Sequence, residues 1–304
     1  MHDPMRFCHV VFTDTAYRRR PVNFAPPQSC GRQDEASRGI SAEVRQFIDW
    51  LFRLAGLDAG WYRQAPLARR LGACLRALRV SGVSEARAAI LADRALMQVA
   101  LGALLIGVSG FFRDPSVFQD LWRQVLPCMG QRRADRPLRI WSVGCAEGQE
   151  LYSLAMLLAE MRLLERSQLL GTDCRAQATR HAAAGEYCDR DIAGVPPRLR
   201  QRYMDRLQGG LWRISPRLRD RTRWRTADAL QIVEPGVWDM ILCRNVAIYL
   251  QAESAAQLWQ QLHAALSPGG ALVVGRAERP GADGLSPQVS FTPLAPCVFR
   301  RNQG

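Results

Sequence analysis

Apolar residues recur every three or four positions from residue 41 to about residue 106, and this spacing predicts a small helical unit. The first helix begins after Ser41, a good N-cap residue, and ends at Gly56. Its apolar face consists of Val44, Phe47, Ile48, Leu51 and Leu54. Further helices are predicted over residues 66–79, 84–93 and 95–106. The spacing therefore favours an all-helical domain over residues 41–107.

From residue 138 onward, short apolar runs alternate with helical spacing. Strands are predicted over residues 138–143, 168–173, 222–226, 238–243, 271–275 and 298–300, and helices over 151–164, 175–184 and 252–266. This alternation predicts an α/β domain over residues 108–304, with a doubly wound, mostly parallel, Rossmann-like sheet. Residues 185–221 interrupt the alternation and could form an inserted subdomain.

Residues 1–40 show no apolar period and are rich in arginine and proline, which predicts a disordered tail. A start site upstream of the true one is an alternative explanation. No basic start followed by an apolar stretch is present, and no apolar run is long enough to cross a bilayer. We therefore expect a cytoplasmic protein that does not insert into the membrane.

Composition adds two constraints. Nine cysteines are scattered without any C-x-x-C pair, so we expect free thiols and no metal site. The net charge of +13 suggests an acidic partner, yet the chain contains no lysine and all 41 basic residues are arginine. A GC-rich coding sequence produces that pattern, so the charge without a motif does not indicate nucleic-acid binding.

Candidate chemistry lies where the first two strands of the α/β domain end. Gly144 and Gly148 follow the first strand, and Asp173 ends the second. Glycines between a strand and a helix let a ligand approach the backbone, and an acidic residue after the next strand can bind both ribose hydroxyls of a nucleoside. The alternative explanation needs no ligand: Gly144 and Gly148 would form only a tight turn, and Asp173 would only cap the next helix. The G-x-G-x-x-G dinucleotide motif is absent, which disfavours a nicotinamide cofactor.

Four motifs together resemble those of the CheR family of chemotaxis receptor methyltransferases. Residues 144–156 (GCAEGQELYSLAM) are similar to the family's cofactor loop, GCATGEEPYSLAM. Residues 243–250 (CRNVAIYL) resemble CRNVLIYF, and 108–114 (VSGFFRD) resemble TxFFRD. Residues 266–278 (LSPGGALVVGRAE) resemble LxPGGxLxxGxxE. The motifs follow the family's order and spacing across roughly residues 41–301.

The resemblance implies a class I methyltransferase fold, the cofactor S-adenosylmethionine with the product S-adenosylhomocysteine, and a set of site residues. It places Arg113 and Tyr249 at the reacting groups and Asp173 at the ribose. It implies a cofactor-binding set of Ser109, Arg113, Gly144, Glu150, Asp173, Asp228, Ala229, Cys243, Arg244 and Asn245. Within that set Glu150 is expected near the methionine amino group, Asp228 near the adenine, and residues 243–245 beside the methionyl chain.

The chain departs from the family pattern at several positions. Gly107 stands where the family often has asparagine, while Ser109 keeps the hydroxyl of the usual threonine. In the loop, Glu147, Gln149 and Leu151 replace threonine, glutamate and proline. These changes put cofactor affinity in question more than the fold.

The implied reaction is methyl transfer to glutamate carboxylates on the cytoplasmic helical domain of a chemoreceptor. A carboxylate is already ionised at neutral pH, so no catalytic histidine is expected, and none of the four histidines falls in a motif. Two alternatives stay open: a methyltransferase acting on nucleic acid or a small molecule, and a non-catalytic scaffold. The nucleic-acid alternative is disfavoured because Arg-Asn-Val-Ala at 244–247 replaces the Pro-Pro-aromatic pattern of DNA amino-methylating enzymes.

The helix predicted over residues 66–79 suggests how a receptor is recognised. Its apolar face contains Leu67, Leu71, Cys74, Leu75 and Leu78, and Arg69, Arg70, Arg76 and Arg79 are expected in solvent. We expect these arginines to dock an acidic receptor helix and to present a glutamate to the methyl group. A solvated face in an arginine-rich protein is the alternative.

Overall fold

A computed structural model describes residues 40–105, 107, 109–132, 136–231, 237–281 and 289–302. Most of the expected tail, residues 1–39, lies outside these described residues. The described chain forms two compact units, one up to Leu105 and one from Gly107 onward. No helix among the described residues is both long enough and apolar enough to cross a membrane.

The first unit consists of five α-helices. They are α1 (Ala42–Leu54), α2 (Gln64–Arg69), α3 (Leu71–Leu78), α4 (Val83–Ala92) and α5 (Ala95–Leu104). The Ser41 hydroxyl accepts a hydrogen bond from the Val44 amide (3.3 Å), which caps α1 as its sequence predicts. The core of the unit contains Phe47, Leu51, Cys74, Ile90 and Leu101, all almost fully buried.

The helix expected over residues 66–79 is two helices that meet at Arg70. The Arg70 Nε atom donates to the backbone oxygen of Ala103 in α5 (2.9 Å), and the residue is half-buried. The expectation that Arg70 faces solvent is therefore wrong, because its guanidinium satisfies a carbonyl near the end of α5. Arg69, Arg76 and Arg79 are exposed, as expected.

A seven-stranded sheet forms the centre of the second unit. Its strands are β1 (Leu138–Val143), β2 (Ser167–Asp173), β6 (Thr222–Thr226), β7 (Trp238–Cys243), β8 (Leu266–Val274), β9 (Phe291–Ala295) and β10 (Val298–Arg301). They lie in the order β6-β2-β1-β7-β8-β10-β9. Neighbours from β6 to β8 pair in parallel, and β10 is antiparallel to both β8 and β9. The predicted doubly wound sheet is confirmed, and this order is the Rossmann-like arrangement expected of a class I methyltransferase.

Helices connect and cover these strands. They are α6 (Pro115–Asp120), α7 (Leu126–Arg132), α8 (Gln149–Glu160), α9 (Ala176–Ala184), α10 (Pro197–Tyr203), α11 (Pro216–Arg219) and α12 (Ala252–Ala265). A π-helical segment, Leu121–Val125, joins α6 to α7. Helix α8 is buried from Gln149 to Ala159, so the first turn of this helix is held rigidly beside the sheet.

The segment between α9 and β6 contains a separate small antiparallel sheet. Its strands are β3 (Glu186–Tyr187), β4 (Met204–Arg206) and β5 (Trp212–Ile214), in the order β3-β5-β4. Tyr187 ties this sheet to the loop after β1, because its hydroxyl donates to the backbone oxygen of Glu147 (2.6 Å). The ring of Tyr187 also packs edge-on against Phe111, with ring centroids 4.9 Å apart.

Candidate active site

Three loops meet at the carboxyl edge of the parallel sheet. They follow β1, β2 and β7, which are neighbours in the order β2-β1-β7. Because parallel strands end on the same edge, Gly144, Asp173 and Arg244 are brought to one place. This edge is where open α/β sheets bind their ligands.

The loop after β1 has the backbone conformation that its glycines predict. Gly144 and Gly148 have φ angles of +63° and +90°, and the intervening Ala146 has +49°. A Cβ atom on Gly144 would lie 2.5 Å from Cγ2 of Val246, so only glycine allows the loops after β1 and β7 to approach this closely.

Asp173 is held at the end of β2 by the neighbouring loop. Its Oδ2 atom accepts a hydrogen bond from the Ala146 amide (2.9 Å), and its Oδ1 atom lies 3.0 Å from Nε of Arg175. The carboxylate is almost fully buried. A buried carboxylate beside a glycine loop is the arrangement that binds a ribose in Rossmann-like folds.

Arg244 joins three segments of the site. Its guanidinium lies 3.1 Å from Oε2 of Glu150 and 2.7 Å from Oδ2 of Asp114, and it donates to the backbone oxygen of Arg113 (3.0 Å). Only 3% of the Arg244 side chain is exposed. The other Glu150 oxygen accepts from the Ser142 hydroxyl (3.1 Å). Sequence reasoning placed Arg244 and Glu150 beside the cofactor but did not foresee that they pair.

A second connection runs through Ser153 in α8. Its hydroxyl donates to the backbone oxygen of Gln149 (2.7 Å) and accepts from the Phe112 amide (2.9 Å). Segment 109–114 is thus tied to the first turn of α8 as well as to Arg244. This brings the backbone that carries Arg113 to the cofactor loop.

Glu278 belongs to the site, although the sequence did not predict it as a site residue. Its buried carboxylate accepts hydrogen bonds from the amides of Asn245 (2.8 Å), Val246 (2.9 Å), Ala247 (2.8 Å) and Gly275 (2.6 Å). These bonds hold Asn245 at a φ of +60°. The signal was present, since Glu278 closes the last of the four motifs, but the motif alone gave it no role.

The remaining predicted residues lie around the same loops. Ser109 is half-buried, and Arg113 is exposed. Tyr249 is half-buried in the 3₁₀ turn Ala247–Tyr249, directly after Asn245 and Val246. Asp228 is nearly buried after β6, and its Oδ1 accepts from the Leu230 amide (3.0 Å). Ala229, which lies between Asp228 and Leu230 in the chain, is half-buried.

The cysteines near the site are protonated. Burial raises the pKa of the Cys243 thiol well above its ordinary value, and the Glu278 and Glu150 carboxylates raise it further. Burial also raises the pKa of Cys145, with Asp173 and Glu150 adding to the effect. Neither thiol is thus available as a thiolate nucleophile.

Oε1 of Gln149 and Nε of Arg244 are buried at the site and have no hydrogen-bond partner among the described residues. Both lie beside the loops after β1 and β7, where a polar ligand would satisfy them. An amide oxygen can accept from an ammonium group, which fits an amino-acid moiety of a cofactor. The described residues contain no cluster of three or more histidine, cysteine, aspartate or glutamate side chains that could hold a metal ion.

Residues 107–290 match the sequence model of a family described as "CheR methyltransferase, SAM binding domain". The chain belongs to the CheR methyltransferase family. It therefore contains a domain that binds S-adenosylmethionine and is an S-adenosylmethionine-dependent methyltransferase of chemotaxis.

Three relatives cover most of the chain. Chemotaxis protein methyltransferase 1 of Pseudomonas aeruginosa is 31% identical over 247 residues, covering 78% of this chain and 90% of the relative. A chemotaxis protein methyltransferase of Listeria monocytogenes is 30% identical, and the match covers 74% of this chain and 85% of the relative. Chemotaxis protein methyltransferase Cher2 of Pseudomonas putida is 28% identical, and the match covers 84% of this chain and 96% of the relative.

Glu278→Gln tests whether the buried carboxylate organises the loop after β7. Glutamine replaces one accepting oxygen by an NH₂ donor that faces backbone N–H groups, so we expect the free energy of unfolding to fall by about 1–3 kcal/mol. Urea unfolding measures this loss. Glu253→Gln, at an exposed site in the first turn of α12, is the matched control. Equal stability of the Glu278 variant and the control would show that the four hydrogen bonds do not hold the loop.

Proposed function

We propose that this protein transfers the methyl group of S-adenosylmethionine to glutamate side chains of a chemoreceptor, forming methyl esters and releasing S-adenosylhomocysteine. The reaction needs no metal and takes place in the cytoplasm, where the helical domain of the receptor lies. Family membership supports the methyl donor, and the names of the relatives support a role in chemotaxis. The observation that carries the proposal is the convergence of Gly144, Asp173 and Arg244 at one sheet edge.

The residues at this edge suit the parts of the cofactor. We propose that Asp173 accepts hydrogen bonds from the ribose hydroxyls and that Asp228 and Ala229 border the adenine. The loop from Gly144 would lie against the methionyl part. Ser109, Glu150, Cys243, Arg244 and Asn245 complete this binding set.

Bound S-adenosylmethionine supplies an electrophilic methyl group on a positively charged sulfur. The acceptor glutamate has an ordinary pKa of about 4.3 and is ionised at neutral pH, so the protein does not need to remove a proton. Its task is to hold the acceptor oxygen in line with the methyl group, an effect that supplies up to ~7–11 kcal/mol.

Arg113 and Tyr249 are the residues we propose for this positioning. The Arg113 backbone is fixed by Arg244, while its side chain is exposed and accessible to a substrate carboxylate. A guanidinium offers two parallel N–H donors to a carboxylate. Tyr249 follows the loop that Glu278 holds, and its hydroxyl can donate to an acceptor oxygen.

A labelled-methyl assay on receptor-enriched membranes tests the function. We expect the wild-type protein to transfer label that alkali releases as volatile methanol, the signature of an ester. Arg113→Lys should reduce the rate by about tenfold or more, because lysine keeps the charge but loses the planar fork. Arg180→Lys, on the exposed side of α9, is the matched control.

Absence of label from the wild-type protein would contradict the proposed activity. S-adenosylhomocysteine binding without transfer would favour the scaffold alternative. Label that resists alkali would indicate an acceptor other than a carboxylate. A wild-type rate for Arg113→Lys would remove Arg113 from the reacting groups.

The helical unit offers a surface for an acidic receptor helix. Arg69, Arg76 and Arg79 are exposed on α2, on α3 and at the C-terminal cap of α3. We propose that these three arginines, without Arg70, form the docking face. The attraction between such exposed charges is largely screened beyond about 10 Å at ~0.1 M salt, so it should weaken as salt is added.

Replacing Arg69, Arg76 and Arg79 with glutamate should abolish most receptor methylation at low salt and leave S-adenosylhomocysteine binding unchanged. The control replaces Arg45, Arg53 and Arg94, which are also exposed in the helical unit, and alters the net charge equally. Equal methylation by both triple variants would show that the position of the arginines does not matter and that α2 and α3 are not the docking face.

A further inference from the structure

The Asp173 carboxylate already has a complete set of hydrogen-bond donors in this structure. Oδ1 accepts from the backbone N and the Nε of Arg175, both at 3.0 Å. Oδ2 accepts from the Ala146 amide (2.9 Å) and from the terminal NH2 nitrogen of Arg175 (3.2 Å). An ionised carboxylate offers about four lone-pair sites, so all of them are used.

Gly107 provides the space for the Arg175 guanidinium. A Cβ atom at position 107 would lie 2.0, 2.1 and 2.3 Å from three atoms of that guanidinium. Any other residue at this position would displace the fork. The absence of a side chain at position 107 thus leaves room for a side chain that lies 68 positions further along the chain.

The two backbone donors and the two guanidinium donors differ in what they can do. The amides of Ala146 and Arg175 belong to loops fixed at the sheet edge and stay with the carboxylate. The guanidinium is at the end of a flexible side chain and can leave. Its departure would free two of the four lone-pair sites, which equals the number of hydroxyls on a ribose ring.

We propose that Arg175 is an intramolecular ligand of the ribose-binding carboxylate and competes with the cofactor for Asp173. The inference rests on the proposed function, which gives Asp173 its ribose. Arg175 thereby lowers the affinity for S-adenosylmethionine and S-adenosylhomocysteine. Gly107, which stands where the family often has asparagine, thus has a role of its own: it makes room for the competing arginine.

Glu147 offers the displaced guanidinium a second acidic neighbour. Burial lowers the pKa of the Arg175 guanidinium, and the Asp173 carboxylate, with Glu147 as a further contributor, raises it by more. The Glu147 side chain is 42% exposed, so pairing with it desolvates the guanidinium less than pairing with a buried carboxylate does. A cation leaving Asp173 therefore stays near a carboxylate.

Calorimetric titration of the full chain with S-adenosylhomocysteine tests the proposal. A ligand that must wait for a minor open state has its apparent Kd raised by the reciprocal of that state's population. An open fraction near one tenth predicts that Arg175→Ala lowers the Kd by about tenfold. Arg180→Ala removes the same charge from an exposed position on α9 and should leave the Kd unchanged.

Gly107→Ala provides an independent variant. Its added Cβ should push the guanidinium off Asp173 and lower the Kd, and the same change should have no such effect once Arg175 is alanine. Gly110→Ala is the control, since no atom lies within 4 Å of a Cβ built there. Thermal melting of each variant checks that it is folded.

The proposal is overturned if the Kd of Arg175→Ala is higher than that of the wild type, because Arg175 would then support Asp173. It is also overturned if the two Kd values agree within about threefold, because Arg175 would then be neutral. Equal effects of Gly107→Ala with and without Arg175 also overturn it. If the wild-type protein and Arg175→Ala both fail to bind S-adenosylhomocysteine, the proposed function fails as well. Binding to wild type without tightening by Arg175→Ala removes only this inference.

Discussion

The candidate site depends on the buried guanidinium of Arg244. It faces carboxylates of Glu150, in the first turn of α8, and of Asp114, before α6. Taking one of these charges out of water is costly unless its partners are in place, so the loop after β7, helix α8 and segment 109–114 are stable only together. Secondary structure alone would not bring these three parts of the chain into register.

These ion pairs act on backbone that is intrinsically unfavourable. Phe112, Asp114, Ala146 and Asn245 all have positive φ angles, between 49° and 60°. Such conformations are uncommon for residues other than glycine and persist where the surroundings over-determine them. Arg244 pairs with Asp114, and the Glu278 carboxylate accepts from the Asn245 amide. The Asp173 carboxylate accepts from the Ala146 amide, and the Ser153 hydroxyl accepts from the Phe112 amide. Each of the four unusual conformations is therefore held by a buried polar group of the site.

Much of the fold could be predicted, because alternating apolar runs and helical spacing specify a parallel sheet, and the four motifs mark its loops. The small sheet could not, since strands of two or three residues are too short to show a period. The pairing of Gly107 with Arg175 was also beyond reach. Contacts between distant residues leave no local pattern, and Gly107 alone indicates only a missing side chain.

A double-mutant cycle between Arg244 and Glu150, read as the free energy of unfolding, tests most directly whether buried ion pairing assembles the site. Arg244→Met should cost about 3–5 kcal/mol, because it leaves the buried Glu150 carboxylate without its ion-pair partner. Adding Glu150→Gln should recover part of that loss, since it removes the charge that was left unpaired. A double variant whose loss equals the sum of the two single losses would contradict the account.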